Sequence, residues 1–241
     1  MKAQKKGRVG PLVLLFFLIF LSGSILVFVK MSSLRSVTVE NCTYYKDEKL
    51  LSLLGVPKKA NTIKEYIALK YGKKQNVPFI DDYDVSLDGI DGLTIKVYEK
   101  DIIGCIPYMG EYVCFDADGV MVGSIKKVRD DVPVVNGIEY GSMVYNNKVE
   151  TGQNEIFSRV LNVTQLIKKY GVTVNEITFD SSMNVTLTCG NIMVELGNGT
   201  HFDTSISNLP ELIAKATGLK GTLHMENYAS GNGKVVFEKK S

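Results

Sequence analysis

The sequence contains no tryptophan, only two histidines, His201 and His224, and four cysteines in 241 residues. Two histidines leave little material for a Ser-His-Asp arrangement, and no serine or cysteine stands beside an evident base. The cysteines, Cys42, Cys105, Cys114 and Cys189, show no C-x-x-C spacing, so neither zinc nor any other metal is expected. Charge of one sign is also scarce. Lys and Arg number 28 against 26 Asp and Glu, giving +2, and Lys2, Lys5, Lys6 and Arg8 crowd the first ten positions, so no polybasic nucleic-acid surface is implied. Internal repeats and low-complexity tails are missing as well.

What is present is one long uncharged run. Pro11 to Val29 reads PLVLLFFLIFLSGSILVFV, which as a helix would span about 28 Å against a hydrocarbon core of roughly 30 Å. The basic cluster precedes it, so the positive-inside rule predicts a cytoplasmic tail over 1–10, a transmembrane helix over 11–29 and an extracytoplasmic body: a single-pass type II protein of the cell membrane. A cleaved signal peptide is the alternative, with Ser22, Gly23 and Ser24 as small cleavage-site residues. Ile25 to Val29 continue the apolar run past that site and favour the anchor.

Beyond the run the periodicity changes. Ser36 to Glu40 alternates like a strand, and Lys46 to Leu54 reads as a helix with Asp47 and Glu48 in its first turn and Gly55 at its end. A second helix is predicted from Ile63, with Thr62 and Glu65 as a capping box and Ile63, Tyr66, Ile67 and Tyr71 as its apolar stripe. Strands follow at Tyr83 to Leu87 and Leu93 to Glu99. β-α-α-β-β is the order of a POTRA domain, placed at 34–100.

The remainder, 101–238, reads as a β-rich domain with two helices and a mixed or antiparallel sheet, so the whole chain is expected to be α+β. CIPYMGEYVC suggests two strands around a turn at Met109 and Gly110. Counting outward sets Cys105 opposite Cys114 as a non-hydrogen-bonded pair, either disulfide-linked or packed as two small buried thiols. Glu155 to Tyr170 is an amphipathic helix with Phe157, Val160, Leu161, Thr164 and Ile167 on one side. Short strands are predicted at 176–179, 184–188 and 192–196, a helix from Pro210 to about Thr217, and last strands at 222–225 and 234–238.

The acidic pairs Asp81/Asp82, Asp116/Asp118 and Asp130/Asp131 sit among turn residues, where Asp caps and bends backbone. DADG lacks the later ligands of a calcium loop, and GNGK at Gly231 to Lys234 lacks the spacing of a phosphate loop. The N-x-T triplets at Asn41, Asn162, Asn184 and Asn198 matter only in a eukaryotic secretory pathway. No catalytic residue and no cofactor emerge.

EKDIIGCIPYMGEYVCFDADGVMVG from Glu99, followed by VPVVNGIE from Val132, resembles the FtsQ/DivIB family of bacterial cell-division proteins. Glu99 and Lys100 stand for an acidic-basic pair, Asp116 to Val120 for a D-x-x-G turn and strand, Pro133 to Gly137 for a following Pro-to-Gly element. Val37, Val39 and Asn41 are similar to the family's first POTRA strand. Ile102 stands where the family commonly has proline, and His224 to Tyr228 where it shows D-L-R-Y. The resemblance implies a non-enzymatic division scaffold at the septum that binds FtsL-like and FtsB/DivIC-like bitopic partners, with no nucleic acid and no small-molecule substrate. It carries partner docking onto Tyr228, Ser230, Val236 and Phe237, where the edge of the last strand would accept a partner strand. The alternative class is a membrane-anchored extracytoplasmic enzyme or ligand-binding protein using a pocket in the C-terminal domain.

Overall fold

The computed structural model describes residues 9–151, 154–228 and 234–240. Among them the chain is α+β, with five helices and two mixed sheets, and it divides into two compact units, Met1–Glu99 and Lys100–Ser241.

The uncharged run forms helix α1, Val9–Met31. Among the described residues, however, no helix is long and apolar enough to cross a membrane, which corrects the expected transmembrane helix over 11–29. The basic residues Lys2 to Arg8 lie outside the described residues.

In the first unit, β1 (Ser36–Glu40) is followed by α2 (Asp47–Leu53), α3 (Thr62–Tyr71), β2 (Ile80–Asp88) and β3 (Gly92–Glu99). The sheet order is β1-β3-β2. β3 pairs antiparallel with β2 and parallel with β1, in register from Ser36 opposite Gly92 to Glu40 opposite Lys96. A parallel neighbour needs a long crossover, and α2 and α3 occupy it. Leu50, Leu69, Tyr83, Val85, Leu93, Ile95 and Val97 form the core.

Helix α3 departs from its predicted details. Asn61, not Thr62, is the cap, its Oδ1 accepting from Lys64 N at 3.0 Å. The buried stripe is Thr62 and Leu69 with half-buried Tyr66, whereas Ile67 and Tyr71 are exposed. Positions 62, 66 and 69 are as periodic as 63, 67 and 71 but lie about 100° away around the axis, and the packing of Leu69 selects the first set.

The second unit holds β4 (Ile102–Tyr108), β5 (Glu111–Asp116), β6 (Met121–Ile125), β7 (Val134–Asn136), α4 (Asn154–Lys169), β8 (Glu176–Phe179), β9 (Val185–Cys189), β10 (Ile192–Gly197), α5 (Asp203–Lys215), β11 (Gly221–His224) and β12 (Val236–Lys239). Its nine strands run β12-β11-β10-β9-β8-β7-β4-β5-β6. Pairs β4/β7, β7/β8 and β10/β11 are parallel and the others antiparallel. One face meets α4 through Phe157, Val160, Val163 and Ile167, and α5 through Ile206 and Leu209, all buried in one core with Ile177, Leu187, Val194 and Leu223.

Helix α5 starts seven residues before the predicted Pro210 and carries that proline inside. An interior proline costs a helix about 3 kcal/mol. Burying Phe202, Ile206 and Leu209, at roughly 1.5–3 kcal/mol each, more than offsets it.

Candidate partner-binding edge

The last strand, β12, ends one side of the nine-stranded sheet; β6 ends the other. The β6 end is partly wrapped by its own chain. Met121 N donates to Asn147 O at 2.8 Å, Asn146 N to Met121 O at 3.0 Å and Val149 N to Gly119 O at 2.9 Å. Among the described residues no strand lies on the outer side of β12.

Hydrogen-bond parity shows which groups that edge presents. Gly221 N and Met225 N donate to Asn191 O and Glu195 O on the β10 side, so the odd residues of β11 face β10. Its even residues therefore face β12, and Lys240 N donates to Lys220 O at 2.8 Å. With His224 opposite Val236 and Thr222 opposite Glu238, alternation turns the N–H groups of Val236 and Glu238 inward, leaving those of Phe237 and Lys239 outward.

Of the residues marked for partner binding, the three described ones do not share one face. Phe237 is opposite Leu223 and packs, half-buried, against the core; Val236 is opposite His224 and 54% exposed. Tyr228 lies in the turn after β11, half-buried against the same core, its N–H donating to Met225 O at 3.0 Å. Ser230 lies outside the described residues, as do Gly231 to Gly233 of GNGK.

The other singled-out positions do local structural work. Met109 and Gly110, with φ of 48° and 84°, form the two-residue loop of the β4–β5 hairpin. That φ > 0 pair is the turn whose twist matches flanking strands, and it sets the register in which Cys105 faces Cys114; the two are disulfide-bonded with Cα atoms 4.0 Å apart. Cys42 and Cys189 are free, and burial pushes the Cys189 thiol up to about 11. Glu99 accepts from Thr43 N, Thr43 Oγ1 and Tyr44 N, fastening the loop after β1 to the end of β3. Asp116 Oδ1 accepts from Asp118 N and Val120 N, an Asx turn. Asp82 pairs with Lys74 and Asp131 with Arg129, each carboxyl held below the usual range chiefly by that partner. Pro133 O accepts from Cys105 N at 3.0 Å, joining the Pro133 to Gly137 element to β4.

Beside the edge the structure gathers residues that sequence reasoning passed over. Glu195, His224, Glu226 and Glu238 converge on the sheet face away from α4 and α5. The one available signal was His-x-Glu at 224 and 226, which strand alternation puts on one side. Glu195 could not be paired with it from sequence, because α5 intervenes between β10 and β11.

No protein-family model matches the chain, and no curated protein matches its sequence.

Proposed function

We propose that this chain is a non-enzymatic scaffold of bacterial cell division of the FtsQ/DivIB kind, working on the extracytoplasmic side of the cytoplasmic membrane at the septum and binding FtsL-like and FtsB/DivIC-like partners. The observation that carries the reading is β12, a sheet-ending strand with the backbone groups of Phe237 and Lys239 turned outward. Such an edge binds an extended partner segment by adding a strand, main-chain bonds giving affinity and flanking side chains specificity. Two further facts support it. The first unit has the β-α-α-β-β order of a POTRA module, and the motif residues Glu99, Asp116 and Pro133 each hold a loop or strand junction.

The test is Lys239→Pro, which removes an outward N–H and leaves the inward bonds of Val236 and Glu238 in place. Proline at such a position is compatible with an edge strand. Co-purification of an FtsB/DivIC-like partner should fall at least tenfold with the thermal melt unchanged; capture equal to wild type would overturn strand addition at β12. Val236→Pro is a poorer probe, because it deletes a donor aimed at β11.

A further inference from the structure

Three carboxylates surround one imidazole on the open face of the β10–β11–β12 end. Glu195 is directly opposite His224 across the parallel pair, Glu226 follows two residues after His224 on the same side, and Glu238 reaches in diagonally from β12. His224 Nδ1 lies 3.0 Å from Glu195 Oε2 and 3.4 Å from Glu226 Oε1, while Nε2 lies 3.2 Å from Glu238 Oε2. One ligand atom from each of Glu195, His224 and Glu226 falls within 4.8 Å of the other two.

Charge and geometry together say what fits there. Among the described residues, the ion pairs of these three carboxylates all go to His224, and one imidazolium offsets only one of three negative charges. A cation of higher charge would answer the remainder. A four-coordinate ion bound at about 2.0–2.2 Å holds its ligand atoms roughly 3.3–3.6 Å apart; the Nδ1 to Glu226 distance falls in that range and the Nδ1 to Glu195 distance lies a few tenths of an ångström below it. The third carboxyl-to-ring contact then has a ready explanation. A metal-binding histidine donates its other ring N–H to a carboxylate, which fixes the tautomer and aims the lone pair; Glu238 stands at that nitrogen. The segments are well held. Met225, 1% exposed, anchors the chain between His224 and Glu226, and its N–H donates to Glu195 O at 2.9 Å. A register shift between Glu195 and Gly197 marks a bulge at the end of β10, a device that re-aims the neighbouring side chain.

We propose that Glu195, His224 and Glu226 bind a zinc-class divalent cation, with water in the open fourth position and Glu238 as the positioning carboxylate. An imidazole donor favours zinc over calcium or magnesium, which prefer all-oxygen shells. Bound there, the ion would tie β10, β11 and the following turn together beside the edge strand. This inference does not depend on the division reading.

The test is calorimetric titration of the tag-free full chain in detergent at pH 7.5 with zinc chloride, and separately with magnesium chloride. Saturable binding of one zinc per chain is expected, with no comparable heat from magnesium. His224→Ala and Glu226→Gln should abolish the zinc heat, and Glu238→Gln should weaken it about tenfold. His201→Ala should leave it unchanged. Zinc should raise the melting temperature of wild type and not of His224→Ala, whose metal-free melt should lie within a few °C of wild type. The isosteric Glu226→Gln keeps the test informative should His224→Ala misfold. Absence of saturable zinc binding, binding retained by both variants, or binding lost on Cys42→Ser would overturn the proposal.

Discussion

The two ends of the nine-stranded sheet are held by different means. At the β4–β5–β6 end, residues Ile102 to Ile106 are buried in unbroken succession, Cys105 and Cys114 are covalently joined at 0% exposure, and a return segment around Asn146 to Val149 bonds to the start of β6 and the turn before it. At the β10–β11–β12 end, buried residues alternate with half-buried or exposed ones in β10 and β11, none of β12 is fully buried, and polar contacts among His224 and three glutamates bridge the strands. Covalent linkage and burial make the first end less dependent on pH and salt than the second. Exposed ionic contacts are weak and screened, so the second end is the one able to fray, admit another strand or answer to a cation.

The largest expected effect lies where the two halves of the sheet join. Gly137, after β7, has φ of +81°, and a Cβ there would sit 1.8 Å from Phe179 O on β8. No side chain fits against backbone at that distance. Gly137→Ala should therefore cost more than about 3 kcal/mol and abolish a cooperative melt; a urea midpoint close to wild type would show that β7 and β8 can separate without loss.

Next comes the covalent end. Its closed loop is short, with a sequence separation of 9, so the paired change Cys105→Ala with Cys114→Ala should lower stability by about 2–3 kcal/mol and leave a folded chain. Thiol counting checks the bond directly. Without reductant, native protein should alkylate rapidly only at Cys42, because Cys189 is buried with its thiol pushed up to about 11. Denaturant should expose both and reduction all four.

These structural reasons also mark what the residues disclosed. The β4–β5 register follows from a two-residue loop and a count of two per pleat, information held within ten residues. Helix α4 was legible because its apolar side is broad: Phe157, Val160, Thr164 and Ile167 are all buried, joined by Val163 and Leu166. The stripe of α3 was ambiguous by one residue, and only contact with β2 and β3 resolves it. In α5 a proline that reads as a helix start lies inside the helix, because the apolar residues before it, Ile206 and Leu209, are buried in the core. Strand β7 is three residues long, and its position between β4 and β8 is a non-local parallel pairing that periodicity does not encode. The candidate edge was visible as a final apolar strand, but the inward direction of the Val236 N–H, and the meeting of Glu195 with His224, depend on pairings across α5.

At the open end, Phe237→Ala sharpens the contrast. The ring is half-buried against Leu223 and the residues around it, so the loss should be about 1–2 kcal/mol, below the 3–5 of a fully buried phenylalanine. Hydrogen exchange should quicken in β11 and β12 and stay unchanged in β4 and β5. Equal quickening at both ends would mean that the sheet opens as one cooperative unit.

The smallest effect is expected from pH. Glu238 first, then Glu226, raise the His224 imidazole above its ordinary value of 6.5, so the folded state binds that proton more tightly than the unfolded chain does. A raised value means that the stabilisation is fully present below pH 6.5 and fades as pH rises through the folded titration, provided the glutamates stay ionised. About a third of the His224 side chain is exposed, and its partners more so, so solvent screening keeps the change to a few °C at most. His224→Gln should abolish it. Melts taken with chelator present at pH 6 and pH 8.5 should show wild type losing a small margin over His224→Gln across that interval, while the paired cysteine variant loses none relative to its own reference. Parallel curves for wild type and His224→Gln would show that the carboxylates do not couple this end of the sheet to protons, and the contrast between the two ends would then rest on the disulfide and burial alone.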